Sequence, residues 1–184
     1  MAIQKKMMTI GEFEAWIALP AHAHRRFELL DGEIIEKMPT QFHAAIVSLL
    51  NFFLVAYLRQ HPIGWALVEA RYQLPDDEHN ARVPDLSYVS DRSRPLVKKG
   101  PAPYMPDLAI EVKSPDDGYL MMRAKAAYYL DNGSRMVWLV FPEKQLVEVY
   151  RPDVDVEILN HDDTLHGYDV LPGFTLAVAE VFAE

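Results

Sequence analysis

The chain has 184 residues, half of them apolar and 24% charged, enough for one ordinary globular domain with a substantial core and too apolar for a disordered chain. It contains no cysteine, which excludes a disulfide framework, a cysteine nucleophile and a thiolate metal site. Lys and Arg total 18 against 27 acids, so a uniformly basic coat that holds nucleic acid by counterion release is absent, and any such contact must be local.

Lys5 and Lys6 lead into Met7, Met8, Thr9 and Ile10 rather than into a sustained apolar stretch. No export signal is read there, and the cytoplasm is the expected location. Thr9-Ile10-Gly11-Glu12 has the form of a capping box, and Phe13, Trp16 and Ile17 recur at helical spacing until Pro20, which predicts a short first helix. Segments 26–30 and 33–37 flank Asp31-Gly32, a dipeptide that supplies the positive backbone angles of a tight hairpin. From His43 to His61, Ile46, Leu49, Leu50, Phe53, Leu54, Tyr57 and Leu58 follow the three-and-four spacing of a helix packed on a core, ended by Pro62 and Gly64. Its apolar runs, Ala44 to Leu50 and Phe52 to Leu58, read as too short and interrupted to span a bilayer, so a soluble protein is expected.

Residues 65–74 and 83–89 read as strands joined by the turn-rich insert 75–80. After the Pro-rich connection 94–106, residues 107–113 form a further strand candidate. Asp117 can cap a helix running to Asp131, with Gly133 placed for a left-handed stop, and 135–141 is an almost wholly apolar strand. Strand, helix, buried strand predicts a right-handed crossover between parallel neighbours, hence a mixed sheet. Residues 146–150 add a hairpin strand, and 154–159 and 169–174 short β or loop elements. No repeat or linker divides the chain, so a single domain over residues 1–184 is expected.

Alternation on the strand 107–113 sends Leu108, Ile110 and Val112 to one face and Asp107, Ala109, Glu111 and Lys113 to the other. The following helix and apolar strand place it centrally in the sheet, where charges need partners. A second acid, Asp85, opens the preceding strand in Arg82-Val83-Pro84-Asp85-Leu86. If the two strands are neighbours, Asp85 and Glu111 meet at one end with Lys113 one pleat further on. Carboxylate oxygens suit Mg²⁺ or Mn²⁺, and Lys113 would orient or help deprotonate a metal-bound water and offset phosphate charge. Such a set is built for cleaving phosphodiesters. His22, His24, His61, His79, His161 and His166 show no spacing that suggests a zinc site.

Pro84-Asp85 followed by Glu111-Val112-Lys113 resembles the PD-(D/E)xK nuclease signature. Around it stand Phe27-Glu28-Leu29-Leu30-Asp31-Gly32-Glu33, His43, Pro106-Asp107-Leu108-Ala109-Ile110-Glu111-Val112-Lys113-Ser114-Pro115, Val137-Trp138-Leu139-Val140, Val147-Glu148-Val149-Tyr150-Arg151 and Leu171-Pro172-Gly173-Phe174. Together they resemble the Uma-two family of restriction-endonuclease-like bacterial proteins over nearly the whole chain. The resemblance implies an α/β fold of the α+β mixed-sheet kind: a four-stranded mixed core flanked by helices, with an N-terminal hairpin and a C-terminal β extension. It also implies that Asp85 and Glu111 bind the divalent metal and that Lys113 is the catalytic lysine. Many members of that family carry an uncharged residue where this chain has Lys113, so this chain stands closer to the general nuclease pattern.

Glu28 is an additional candidate ligand from the hairpin, with an exposed hairpin acid as the alternative. His43, at the start of the long helix, could contact phosphate or a carboxylate. Arg123 and Lys125, on the helix after the motif strand, could meet phosphate or simply face solvent. Asp107 is read as a strand-start residue. The expectation is a Mg²⁺- or Mn²⁺-dependent endodeoxyribonuclease acting on DNA through a metal-activated water, a homodimer with no membrane association and no organic cofactor. The alternative is a noncatalytic nucleic-acid or protein interaction module in which Asp85, Glu111 and Lys113 form a structural ion network.

Overall fold

Thr9 opens the first helix as its sequence suggests. Its hydroxyl accepts the Glu12 N–H while the Glu12 carboxylate accepts the Thr9 N–H, closing a capping box on α1 (Ile10–Ile17). The computed structural model describes residues 7–183; Lys5 and Lys6, from which the absence of a leader was read, lie outside them. Contacts sort the chain into two compact units. One comprises the chain up to Met38 with Arg71–Val83 and Val97–Tyr104, the other Pro39–Ala70, Pro84–Leu96 and the chain from Met105.

The smaller unit is built on α1 and the hairpin of β1 (Phe27–Leu30) and β2 (Glu33–Glu36). Asp31 and Gly32 take φ of 47° and 75°, the two left-handed positions of the expected turn. Phe13, Phe27, Leu29 and Ala81 form its core, and Leu29 bridges Ala81 while Tyr72 bridges both Arg82 and Ala102.

The larger unit holds α2 (Gln41–Gln60), β3 (Trp65–Val68), β4 (Leu86–Val89), β5 (Leu108–Val112), α3 (Tyr119–Asp131), β6 (Met136–Phe141), β7 (Leu146–Tyr150), β8 (Glu157–Leu159), β9 (Thr164–His166), β10 (Thr175–Ala177) and α4 (Val178–Val181). Six strands form its sheet in the order β3-β4-β5-β6-β7-β8, parallel only between β5 and β6. The mixed sheet flanked by helices is as expected, with six strands in place of four. Strands β9 and β10 pair separately as the C-terminal β extension.

Several expected boundaries need correction. The strand expected over 65–74 stops at Val68, because Glu69 adopts φ 49°, a left-handed angle that breaks the extended backbone. Residues 71–83 then belong to the smaller unit, so they are no hairpin loop of the sheet, and β4 begins at Leu86 rather than Val83. Asp117 does not cap α3; its carboxylate accepts the Ser114 N–H instead, and the helix starts two residues on behind Gly118. Residues 169–174 take the loop form of the two expected there, with the short strands lying to either side.

Alternation decides the layering. Leu108, Ile110, Val112, Met136, Trp138 and Val140 share a core with Ile46, Leu50, Leu54 and Leu58 of α2. Burying each such side chain is worth about 1.5–3 kcal/mol, which makes this face the main source of cohesion. At 20 residues with mean hydropathy 1.6, α2 is long and apolar enough to cross a membrane by length and composition, contrary to the reading of its broken apolar runs. The row Ile46, Leu50, Leu54 and Leu58 packs on the sheet instead.

Candidate active site

The antiparallel register of β4 on β5 ends with Leu86 opposite Ile110, so Asp85 lies just before β4 and Glu111 just beyond that last pair on β5. The Val112 N–H donates to Asp85 Oδ2 at 2.8 Å, tying the acid to the end of β5. From the first turn of α2, His43 Nε2 lies 3.1 Å from the same oxygen. A carboxylate only accepts, so this nitrogen carries the proton. The helix start is fixed by Thr40, whose hydroxyl accepts the His43 N–H at 3.1 Å. The Asp85 main-chain carbonyl accepts from the Glu69 N–H, just past the end of β3, so its backbone is anchored as well as its side chain.

Glu111 is held from the other face of the sheet. Tyr129 donates its hydroxyl to Oε1 at 2.9 Å, and Lys125 Nζ reaches Oε2 at 3.3 Å; all three side chains are buried. Lys125 and Tyr129 lie four residues apart on α3, with Met122 and Ala126 on the same buried side. A buried carboxylate requires such partners, because leaving its charge dry and unpaired would cost several kcal/mol.

Lys113, beyond the end of β5, turns to a different acid. Its Nζ lies 3.1 Å from Glu143 Oε1 and donates to the Ser114 carbonyl at 3.1 Å, with the Tyr119 ring 5.2 Å away. Tyr119 donates its hydroxyl to Glu143 Oε1 at 2.7 Å. Burial pushes the Glu143 carboxyl up, but Tyr119, its own backbone and Lys113 outweigh that and hold it below the ordinary carboxylate range. Lys113, Glu143 and His43 line a recess of about 360 Å³ at the start of α2.

The candidate residues therefore fall into three groups. Asp85 and His43 come together, Glu111 and Lys125 come together, and Lys113 joins Glu143. Glu28 is fully buried in β1 of the smaller unit rather than an exposed hairpin acid. Asp107 accepts the Ser90 N–H at 2.8 Å and sits 3.6 Å from Arg135, as befits a residue that anchors the start of its strand. Arg123 pairs with Glu148 of β7 at 2.6 Å, on a half-exposed helix face. Sequence reasoning passed over Tyr129, Tyr119 and Glu143 as contributors. The spacing of Lys125 and Tyr129 on one helix face was the available signal for the first; nothing local marks the other two.

A hard divalent ion takes carboxylate oxygens. Among the described residues no three His, Cys, Asp or Glu side chains gather as a metal-holding group. Asp85 and Glu111 are the carboxylates a Mg²⁺ ion would draw on, and their side chains are held from different helices, Asp85 by His43 of α2 and Glu111 by Lys125 and Tyr129 of α3. Binding would have to compete with Lys125 for Glu111.

The architecture is a mixed sheet with helices on its faces, with a buried acid just before β4 and another near the end of β5 that meets a lysine and a tyrosine of α3; the comparisons place it among nuclease-like proteins. The chain belongs to the Uma2 family, described as "Putative restriction endonuclease", whose family model matches residues 10–179. It is also similar to a crystal structure from Anabaena variabilis ATCC 29413, described as a "putative nuclease belonging to DUF820". The identity is 28% and the TM-score 0.80, over 95% of this chain and 97% of that one. The restriction-endonuclease-like fold and the family are thus both borne out. None of the curated proteins compared with the chain matches it.

Proposed function

We propose that the protein is a metal-dependent endodeoxyribonuclease that hydrolyses DNA phosphodiester bonds. The observation that carries the reading is the 2.8 Å bond from the Val112 N–H to Asp85 Oδ2, which ties one motif acid to the strand residue next to the other, Glu111. Mg²⁺ or Mn²⁺, held by those two acids, would supply a Lewis acid for phosphoryl oxygens and a water of lowered pKa. His43 and the Val112 amide fix the direction of the Asp85 carboxylate, while Tyr129 and Lys125 hold the Glu111 side chain in place inside the fold. Lys113 brings positive charge to the recess, where it can meet a phosphate. A homodimer would present two such sites to opposite strands.

With an acidic chain and few cations near the site, affinity for random DNA should be poor and should fall steeply with salt. The test is nicking of supercoiled plasmid in Mg²⁺ or Mn²⁺ at low salt, with Asp85→Ala and Glu111→Ala alongside. Activity in the parent chain that is lost in both variants supports the reading. Absence of nicking in every divalent metal and salt condition overturns it.

The Glu111–Lys125 pair favours a second reading, a noncatalytic interaction module in which the acids and lysines are a structural network. A parent chain that binds no divalent ion, with a Glu111→Ala, Lys125→Ala double variant at least as stable as the parent, would favour it.

A further inference from the structure

The recess at the start of α2 has apolar walls and an acid, Glu143, that the metal reading leaves unused. Phe42, 46% exposed, and Pro115 and Pro142 give it flat apolar sides, while Thr40, Lys113 and Glu143 bring polar atoms to it. At about 360 Å³ it is of the size that holds a small organic ligand. Opposite charges stand side by side there, with Lys113 Nζ 3.1 Å from Glu143 Oε1. A bare anion would meet the carboxylate and a bare cation the ammonium. The complement is a ligand that carries an anionic group and a hydrogen-bond donor on one flat apolar body.

We infer that this recess binds one unpaired nucleotide of a DNA strand, its phosphate against Lys113, its base along Phe42 and the prolines, and the base's amino group donated to Glu143. Base stacking on an aromatic side chain is worth about 1–3 kcal/mol and tolerates any base, so selectivity falls to the polar contact. Both side-chain donors that reach Glu143, from Lys113 and Tyr119, converge on Oε1, which leaves Oε2 clear of them. A carboxylate accepts from the exocyclic amine of cytosine, whereas thymine offers a carbonyl oxygen at that position and would be repelled. The Thr40 hydroxyl, which accepts from His43 N–H, still has its own proton to donate. Only the source of the nucleotide, a DNA strand, rests on the nuclease reading; the recess and its chemistry do not.

The test is calorimetric titration of the full chain with deoxycytidine monophosphate, thymidine monophosphate and a short single-stranded oligodeoxycytidylate, in chelator so that no divalent ion contributes. Saturable binding of the cytosine nucleotide is expected, about fivefold or more tighter than the thymine nucleotide. Phe42→Ala should weaken it by roughly tenfold, as loss of one stacking contact would. Glu143→Gln should erase the preference, because an amide can both donate and accept. The oligonucleotide should bind more tightly than the mononucleotide; equal affinity would assign the recess to free nucleotides and overturn the strand assignment. No saturable binding, equal binding of both bases, or no effect of Phe42→Ala overturns the proposal. Plasmid nicking by the same preparations separates the two readings: nicking without nucleotide binding removes only the recess, and nucleotide binding without nicking removes only the nuclease.

Discussion

Lys125 Nζ lies 3.3 Å from Glu111 Oε2, with both side chains buried, so the amine in contact with the motif glutamate comes from α3 and not from the motif strand. This pair constrains the site twice. It gives a buried carboxylate an opposite charge within the sheet, and it occupies Oε2, for which a divalent cation would have to compete.

Removing one partner leaves the other charge buried. Lys125→Met is expected to cost about 3–5 kcal/mol in urea unfolding, and the Glu111→Gln, Lys125→Met double variant less than the sum of the singles. If Glu111 is a metal ligand, Lys125→Met should also bind Mn²⁺ on the order of tenfold more tightly, and the ion should stabilise this variant more than the parent. Unchanged ion affinity in a folded variant would mean that Glu111 takes no part in binding.

Asp85 serves the Val112 amide and the His43 ring with one oxygen. Asp85→Ala strands both donors and should cost about 2–4 kcal/mol, whereas Asp85→Asn keeps a carbonyl acceptor and should cost less. Chemical denaturation of the two variants checks the order.

The Glu148 carboxyl is pushed up by burial, but the Arg123 guanidinium and Tyr150 hydroxyl outweigh this and leave it below the usual carboxylate range. A depressed folded value means that the stabilisation is present above the unfolded carboxylate pKa and is lost as pH falls through the folded one. Glu148→Gln should therefore be less stable than the parent at neutral pH, by about 1–2 kcal/mol given that Arg123 is half exposed, and the gap should close as pH falls through the depressed folded value of Glu148. Urea midpoints across that range measure it; a gap constant with pH would contradict the pairing.

Gly64 packs so closely on β4 that an added Cβ would lie 2.3 Å from Tyr88 Cε2 and 2.4 Å from the Val89 carbonyl oxygen. Gly64→Ala must move a buried ring or a strand, and should lower stability by about 1–3 kcal/mol in thermal melting.

What the sequence made legible was local or periodic. The Thr9 cap, the Asp31-Gly32 turn and the alternation that puts Glu111 opposite Ile110 in facing each depend on residues close along the chain, and all appear in the structure. The break at Glu69 had no such mark, since a glutamate with a left-handed angle looks like any other strand residue. Pairing within the site was also out of reach. Which acid Lys113 meets depends on where the turn Pro142–Lys144 places Glu143 at the end of β6. That Lys125 faces Glu111 rather than solvent depends on the rotation of α3 about its axis, and its apolar residues are spread too evenly around the helix to fix it.

The central claim, that Asp85 and Glu111 share one divalent ion, is tested most directly by titrating Mn²⁺ into the folded protein and following the free ion by electron paramagnetic resonance. The account expects a single class of site in the parent chain, weakened by roughly a hundredfold or more in Asp85→Ala and equally in Glu111→Ala. Mn²⁺ binding that survives either substitution, or a parent chain that never takes up the ion, would contradict it.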